Sequence, residues 1–276
     1  DVPVVDAAAQ PQLSLNCRAA ILVDQDTGTV LYEKNADEQV PIASITKVMT
    51  LLLTFEAIHN GQLTLETTVP VSEHAYHMGG SQIWLEPGEQ FTLDEMIKAI
   101  CVSSANDAAV AVAELVGGSE PAFVERMNAR AAELGMEDTH FVTPSGLDGE
   151  DAQGMAHLST AYDMALLARA ALEDQAFRQL CSSPSLAVEF AEPVKRVAYT
   201  NHNKLLAQYQ GCVGVKTGFT KEAGRCLVSA AERDGALLIA VTLNAPNDWQ
   251  DHTALLDYGF SQVEPYQLAG GDVRLT

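Results

Sequence analysis

Sixteen basic against 37 acidic residues in a chain of 276 give a formal charge of −21, which argues against nucleic acid or an anionic membrane surface as a general partner. A hydrophobic content of 47% supports a full core and excludes a disordered chain. No uninterrupted apolar run reaches the ~18 residues that would read as a bilayer-spanning helix.

In chain order, Arg18 to Asp24 and Thr29 to Tyr32, joined by the turn-rich Gln25-Asp26-Thr27-Gly28, read as a β-hairpin. Ser44 to His59 has apolar residues at helical spacing and stops at Asn60-Gly61. Leu93 to Cys101, Ala105 to Val116 and Pro121 to Leu134 read as further helices, the last two ending at glycines. Thr160 and Asp163 have the spacing of a capping box before a helix from Met164 to Leu172. Gly214 to Phe219, Cys226 to Ala231 and Ala236 to Leu243 are strand candidates linked by short turns, and Asp251 to Phe260 is a closing helix. Strands at both ends with helices between them predict one antiparallel sheet of about five strands, an α+β fold with an all-helical lobe inserted at roughly residues 66–160 and a cleft between the two parts. The domain is expected to span 1–262, with 263–276 a linker or the first strand of a further domain.

Three short strings carry the chemistry. In Ser44-Ile45-Thr46-Lys47, hydroxyl and amine lie three residues apart on one helix face, so the amine can serve the hydroxyl as a base if burial or a neighbouring cation lowers its pKa. Lys216 is the expected cation, and the alternative role for Ser44 is a helix N-cap. In Ser104-Ala105-Asn106, Asn106 can accept from Lys47 and donate to a substrate carbonyl, and Ser104 can relay a proton to a leaving amine; capping is again the alternative. In Lys216-Thr217-Gly218, ammonium and hydroxyl can hold a carboxylate, and Gly218 permits close approach. Strand alternation sends Lys216 and Thr217 to opposite faces, so both reach one ligand only from an edge strand or through a local twist.

In this order the strings match the SxxK, SxN and KTG signature of penicillin-binding proteins and class A β-lactamases. Over most of residues 14 to 262 the chain resembles the serine-type D-alanyl-D-alanine carboxypeptidases, the low-molecular-mass penicillin-binding proteins. The likeness includes Pro41 to Ser44, Gly79 to Gln82 with Leu85 to Glu89, Ser104 to Ala108, Ser145-Gly146-Leu147, Ser159 to Asp163, Thr200 to Leu205 and Lys216 to Thr220 with Ala223-Gly224. The resemblance implies a β-lactamase/transpeptidase-like fold and removal of the terminal D-Ala from peptidoglycan stem peptides ending in D-Ala-D-Ala. It also implies an acyl-enzyme on Ser44, Lys47 as base, an oxyanion site between the backbone amides of Ser44 and Phe219, and covalent capture of β-lactams. Lys216 and Thr217 would hold the terminal carboxylate. Some relatives carry an arginine after the last sheet strand, whereas Asn244 to Asp251 holds no cation. A β-lactamase and a β-lactam or peptidoglycan sensor that stays acylated are the alternatives.

No cofactor or metal is expected. His74 and His77 have no third ligand nearby and read as surface or packing residues. Six basic residues from Lys195 to Arg225 against the single acid Glu222 form a local positive segment, a funnel for a small anion or else a solvated face. The five cysteines are irregularly spaced and read as core residues, with a Cys181–Cys212 disulfide the alternative and Cys226 a candidate reactive thiol. Asp107 is expected to cap a helix or steady the lobe. The chain opens at Asp1 without a charged-then-apolar leader, as expected of a mature exported protein or a trimmed chain. The family likeness places its action outside the cytoplasm, with membrane association only through a segment this chain does not contain.

Overall fold

The computed structural model describes residues 10–190 and 194–263. Strands β1 (Ala19–Asp24) and β2 (Val30–Lys34) form the N-terminal hairpin, while β7 (Cys212–Thr220), β8 (Gly224–Arg233) and β9 (Ala236–Leu243) come from the other end of the chain. They join in the order β2-β1-β9-β8-β7, every neighbouring pair antiparallel. Because β1 and β9 are central and covered on both sides, they read as near-continuous apolar runs and not as alternating ones.

One face packs on helix α9 (Asp248–Gln262), where Leu255 and Leu256 meet Leu22 and Leu238. Gly259 sits so close to that face that a Cβ there would lie 2.6 Å from Leu238. The other face, with Ile21, Ile239 and Val241, packs on helices α1 (Lys47–His59), α4 (Asn106–Gly117) and α6 (Ala161–Leu172) in the larger core. Each fully buried aliphatic side chain in these two layers contributes about 1.5–3 kcal/mol of transfer free energy.

The remaining elements complete the helical part and carry the chain back to the sheet. Strand β3 (Thr68–Pro70), helix α2 (Glu73–Tyr76), strand β4 (Gln90–Thr92) and helix α3 (Leu93–Lys98) lead into α4 and α5 (Glu120–Glu133). Helix α7 (Gln175–Cys181), the hairpin β5 (Ser185–Phe190) with β6 (Lys195–Thr200) and the short α8 (Leu205–Gln208) return the chain to the sheet. The stretch expected to be all-helical thus also contains the small antiparallel pair β3 and β4, whose three-residue strands are too short to show a period.

Local signals act largely as read. Asn60 caps α1 in a helical conformation, and Gly61 after it, like Gly118 at the end of α4, is left-handed. Thr160 caps α6 by accepting from the Asp163 amide, but Asp163 does not reciprocate. Its carboxylate instead accepts from the Asp138 amide and the Thr139 hydroxyl. The reciprocal capping box occurs at Thr92 and Glu95 ahead of α3. No helix among the described residues is long and apolar enough to cross a membrane. Apart from Val263, the expected linker lies outside the described residues.

Candidate active site

Ser44 lies in a 3-10 turn, Ala43–Thr46, that runs directly into α1. Its hydroxyl caps nothing: neither the turn nor α1 has a side-chain cap. The hydroxyl lies instead 2.8 Å from Lys47 Nζ. Lys47 is completely buried, and its amine also donates to Asn106 Oδ1 at 2.6 Å and to the Ser145 carbonyl at 2.7 Å. The turn is clamped from outside by the loop around Ser145. Gly146 has φ +87°, and a Cβ there would stand 1.9 Å from the Ala43 carbonyl oxygen, so only glycine fits. Thr46, on the opposite side of the turn from Ser44, is hydrogen-bonded through its hydroxyl to His157 Nε2 at 2.7 Å, while His157 Nδ1 accepts from the Val142 amide.

Ser104 and Asn106 occupy an interruption between helices. After α3 the chain makes a π-helical turn, Ala99–Ser103, and Ser104 takes a left-handed φ of 60° before α4 begins at Asn106. Such a break re-aims side chains that a continuous helix would spread around its circumference. Ala105 is the residue preceding α4 and makes no side-chain cap, so capping does not account for Ser104. Ser104 Oγ accepts from Lys216 Nζ at 2.9 Å. Asn106 accepts from Lys47 as expected, but one of its two amide hydrogens goes to the Gly79 carbonyl and its backbone amide to the Ser81 carbonyl. Asp107 proves to be a lobe-steadying group: fully buried, it accepts from the amides of Ile83, Leu85 and Ala108.

Lys216, Thr217 and Gly218 lie on β7, the edge strand that faces the helical part of the molecule. That edge position resolves the alternation conflict. Lys216 is buried and reaches Ser104, while the partly exposed Thr217 borders the open cleft. Gly218 lets the strand press against the serine turn, for a Cβ there would sit 2.9 Å from the Ser44 amide nitrogen and 3.0 Å from that of Ile45. The cleft, about 570 Å³, is lined by Ser44, Ser81, Ser104, Thr217, Gly218 and the exposed Phe219. Its far wall holds His202, Lys204, Arg225 and Trp249.

Burial dominates the electrostatics. Lys47 is held well below the usual lysine range, first by loss of water and then by the charge of Lys216, with Asp107 opposing. Burial also brings Lys216 down to about 8. His202 is lowered by burial and by Lys216. The positive segment read from the sequence reaches the cleft through Lys204 and Arg225, with Lys216 buried and bonded to Ser104, but Arg225 is bound to Asp248 through both Nε and Nη2 and lies over Trp249. Arg196 extends from the β5–β6 hairpin toward Glu189. The funnel is therefore smaller than the sequence count implied.

All five cysteines are free, which excludes the Cys181–Cys212 disulfide: both thiols donate to backbone carbonyls, Cys181 to Val213 and Cys212 to Gly214. Cys226 is buried and its thiol is pushed up to about 12, so it is packing and not a nucleophile. His74 and His77 lie against the carboxylates of Glu120 and Glu73. Sequence reasoning missed the role of Ser145, whose contribution is a backbone carbonyl that any residue carries. It also missed His157, which stands 111 positions from Thr46.

A buried amine on a half-exposed hydroxyl, a second buried amine on a second hydroxyl, and a glycine edge strand against the first define an active-serine acyl-transfer site between a helical lobe and an antiparallel sheet. The chain belongs to the D-alanyl-D-alanine carboxypeptidase family, peptidase family S11, whose model matches residues 5–247, and it is a hydrolase of that class. It is 41% identical over 266 residues to the D-alanyl-D-alanine carboxypeptidase DacF of Bacillus subtilis, covering 95% of this chain and 67% of DacF. Among solved structures, the D-alanyl-D-alanine carboxypeptidase DacD of Francisella tularensis matches with a TM-score of 0.82 and 29% identity, over 95% of this chain and 73% of that one. The ampicillin-bound penicillin-binding protein D2 of Listeria monocytogenes matches with a TM-score of 0.79 and 32% identity, over 91% of this chain and all of that one.

Proposed function

We propose that this protein removes the terminal D-Ala from peptidoglycan stem peptides ending in D-Ala-D-Ala, through an acyl-enzyme on Ser44. The observation that carries the reading is the set of partners around Lys47 Nζ: two carbonyl oxygens, which only accept, and one hydroxyl. A neutral amine has two N–H groups and one lone pair. The carbonyls of Asn106 and Ser145 take both hydrogens, so the lone pair points at the Ser44 hydroxyl. Burial and Lys216 favour that neutral form.

Ser44 Oγ attacks the penultimate D-Ala carbonyl as Lys47 takes its proton. The oxyanion lies between the backbone amides of Ser44 and Phe219, a reading supported by the close approach of Gly218 to the Ser44 amide. Thr217 and Lys216 bind the terminal carboxylate. The proton reaches the departing amine through Ser104, whose hydroxyl is bonded to Lys216. Water then cleaves the ester, releasing the shortened peptide.

A β-lactam presents an amide and a carboxylate in the same relation and acylates Ser44. Asp248, the one carboxylate among the described residues lining the cleft, is engaged by Arg225, which supports slow release of the drug over rapid turnover. Residues 1–262 form the catalytic domain in this reading, with an inserted lobe at about 66–160, and the site of action is outside the cytoplasmic membrane, where the substrate lies. Release of D-Ala from diacetyl-Lys-D-Ala-D-Ala by the wild type, abolished in Ser44→Ala together with covalent penicillin labelling, is the expected result. Full activity in Ser44→Ala, or rapid penicillin hydrolysis by the wild type, overturns it.

A further inference from the structure

The loop that walls the reaction cleft continues into a second cavity with a different lining. Ser81 borders the cleft, and the next residue, Gln82, borders a separate hollow of about 420 Å³ shared with Tyr76, Met78, Trp84 and Glu86. Trp84 is 74% exposed and Tyr76 44%, two of the six large hydrophobic side chains exposed among the described residues. A tryptophan held in water is costly unless something covers it.

Its exposure is built in. Asp107, fully buried at the start of α4, accepts from the amides of Ile83 and Leu85 on either side of Trp84. Leu85 is buried and Ile83 packs on the core. With both neighbours pinned inward, Trp84 is left at a φ of +62°, in a left-handed region that bulky residues rarely enter. The same segment is fastened to the catalytic groups, since Asn106 bonds the carbonyls of Gly79 and Ser81. The loop that carries Trp84 is therefore fastened to Asn106, which itself accepts from Lys47.

We propose that Trp84 and Tyr76 form a subsite for a neutral N-acetylhexosamine ring of the glycan strand that carries the stem peptide. The chemistry selects a sugar. A pyranose offers flat C–H faces to an aromatic ring and hydroxyls at its rim, and here Gln82 and Glu86 share the lining of the hollow with Trp84 and Tyr76. A lipid would find its apolar surface broken by these polar groups. Glu86 in the lining disfavours an anionic ligand, and His77, which also lines the hollow, is turned to the carboxylate of Glu73. The subsite rests on the carboxypeptidase reading, because it supplies the other end of that substrate.

The test pairs two substrates: free diacetyl-Lys-D-Ala-D-Ala and the disaccharide N-acetylglucosaminyl-N-acetylmuramyl pentapeptide. In Trp84→Ala the ratio of kcat/KM for the glycan-linked over the free peptide falls about tenfold through KM, and Trp84→Phe recovers part of it. An unchanged ratio in Trp84→Ala overturns the subsite, as does an equal loss on both substrates, which marks a merely structural role or a contact to the peptide itself. A second readout does not depend on catalysis. Chitotriose, a probe without peptide or charge, quenches tryptophan fluorescence of Ser44→Ala protein, and the quench disappears in Ser44→Ala/Trp84→Phe. Absence of any quench in the Ser44→Ala protein overturns the proposal. Sugar binding without D-Ala release from either substrate leaves the subsite standing and removes the carboxypeptidase.

Discussion

Two polar clusters are buried in the molecule, and only one of them includes a group that lines the cleft. On the α9 side, His252 is fully buried between the hydroxyls of Ser229 on β8 and Thr242 on β9. Burial pushes its pKa down to about 3. On the cleft side, Lys47 is equally buried, hydrogen-bonded to three partners and likewise shifted toward its neutral form. Burial of a base is thus common to both. What distinguishes the lysine is that one of its partners, Ser44, is half-exposed and borders a cavity, and that a second cation lies close enough to shape its titration. A depressed pKa becomes chemistry only where a reacting atom has access.

The largest effect should come from Lys47→Met, which keeps length and removes the base. Acylation by penicillin is expected to fall by about a thousandfold or more while the fold is retained, because an apolar chain replaces a buried amine. Acylation near the wild-type rate would make the cleft cluster as inert as the histidine cluster. Gly218→Ala ranks next. Its new Cβ, 2.9 Å from the Ser44 amide, pushes β7 off the serine turn, and acylation should drop about a hundredfold with little change in Tm. A wild-type rate there would show that contact between strand and turn is dispensable.

The pH dependence sharpens the contrast further. Lys47 must be neutral to act and Lys216 must stay charged to hold a carboxylate, so the acylation rate rises as Lys47 loses its proton and falls again as Lys216 deprotonates near about 8. A rate that keeps climbing to the normal lysine range would contradict the assignment of the two amines. His252 shows the structural version of the same shift. Its folded pKa lies below the unfolded 6.5, so the unfolded chain binds the extra proton, and stability that is fully present above about 6.5 is lost as pH falls toward 3. The loss from this residue reaches about 4 kcal/mol by pH 3. His157, lowered to about 4, adds in the same direction. His252→Gln should flatten the acid limb of a denaturant-derived stability profile and leave neutral-pH acylation per folded molecule as it was; an unaltered acid limb would remove His252 from the account.

Much of this molecule is written in local sequence. The end strands, α1, α4, α5, α6 and α9 follow from apolar spacing and from turn and cap residues, because periodicity and glycine stops are local physics. Ser44 with Lys47 is visible for the same reason, three residues being one helical turn. The two-stranded pieces were not legible: β3 and β4 have only three residues each, and β5 and β6, six residues each, acquire strand character by pairing with one another.

Sequence alone determined which side chains are available: one hydroxyl and amine in a turn, a second hydroxyl and amide, a second amine beside a glycine. Tertiary structure decided what those groups are. Lys47 meets Asn106 across 59 positions and Ser145 across 98, and Lys216 meets Ser104 across 112. Whether an amine is a surface charge or a neutral base depends on how much water and which charges surround it, and those are set by segments far away in the chain. The same holds for Trp84, an ordinary apolar residue in the sequence that becomes an exposed platform only because Asp107, 23 positions later, pins both of its neighbours.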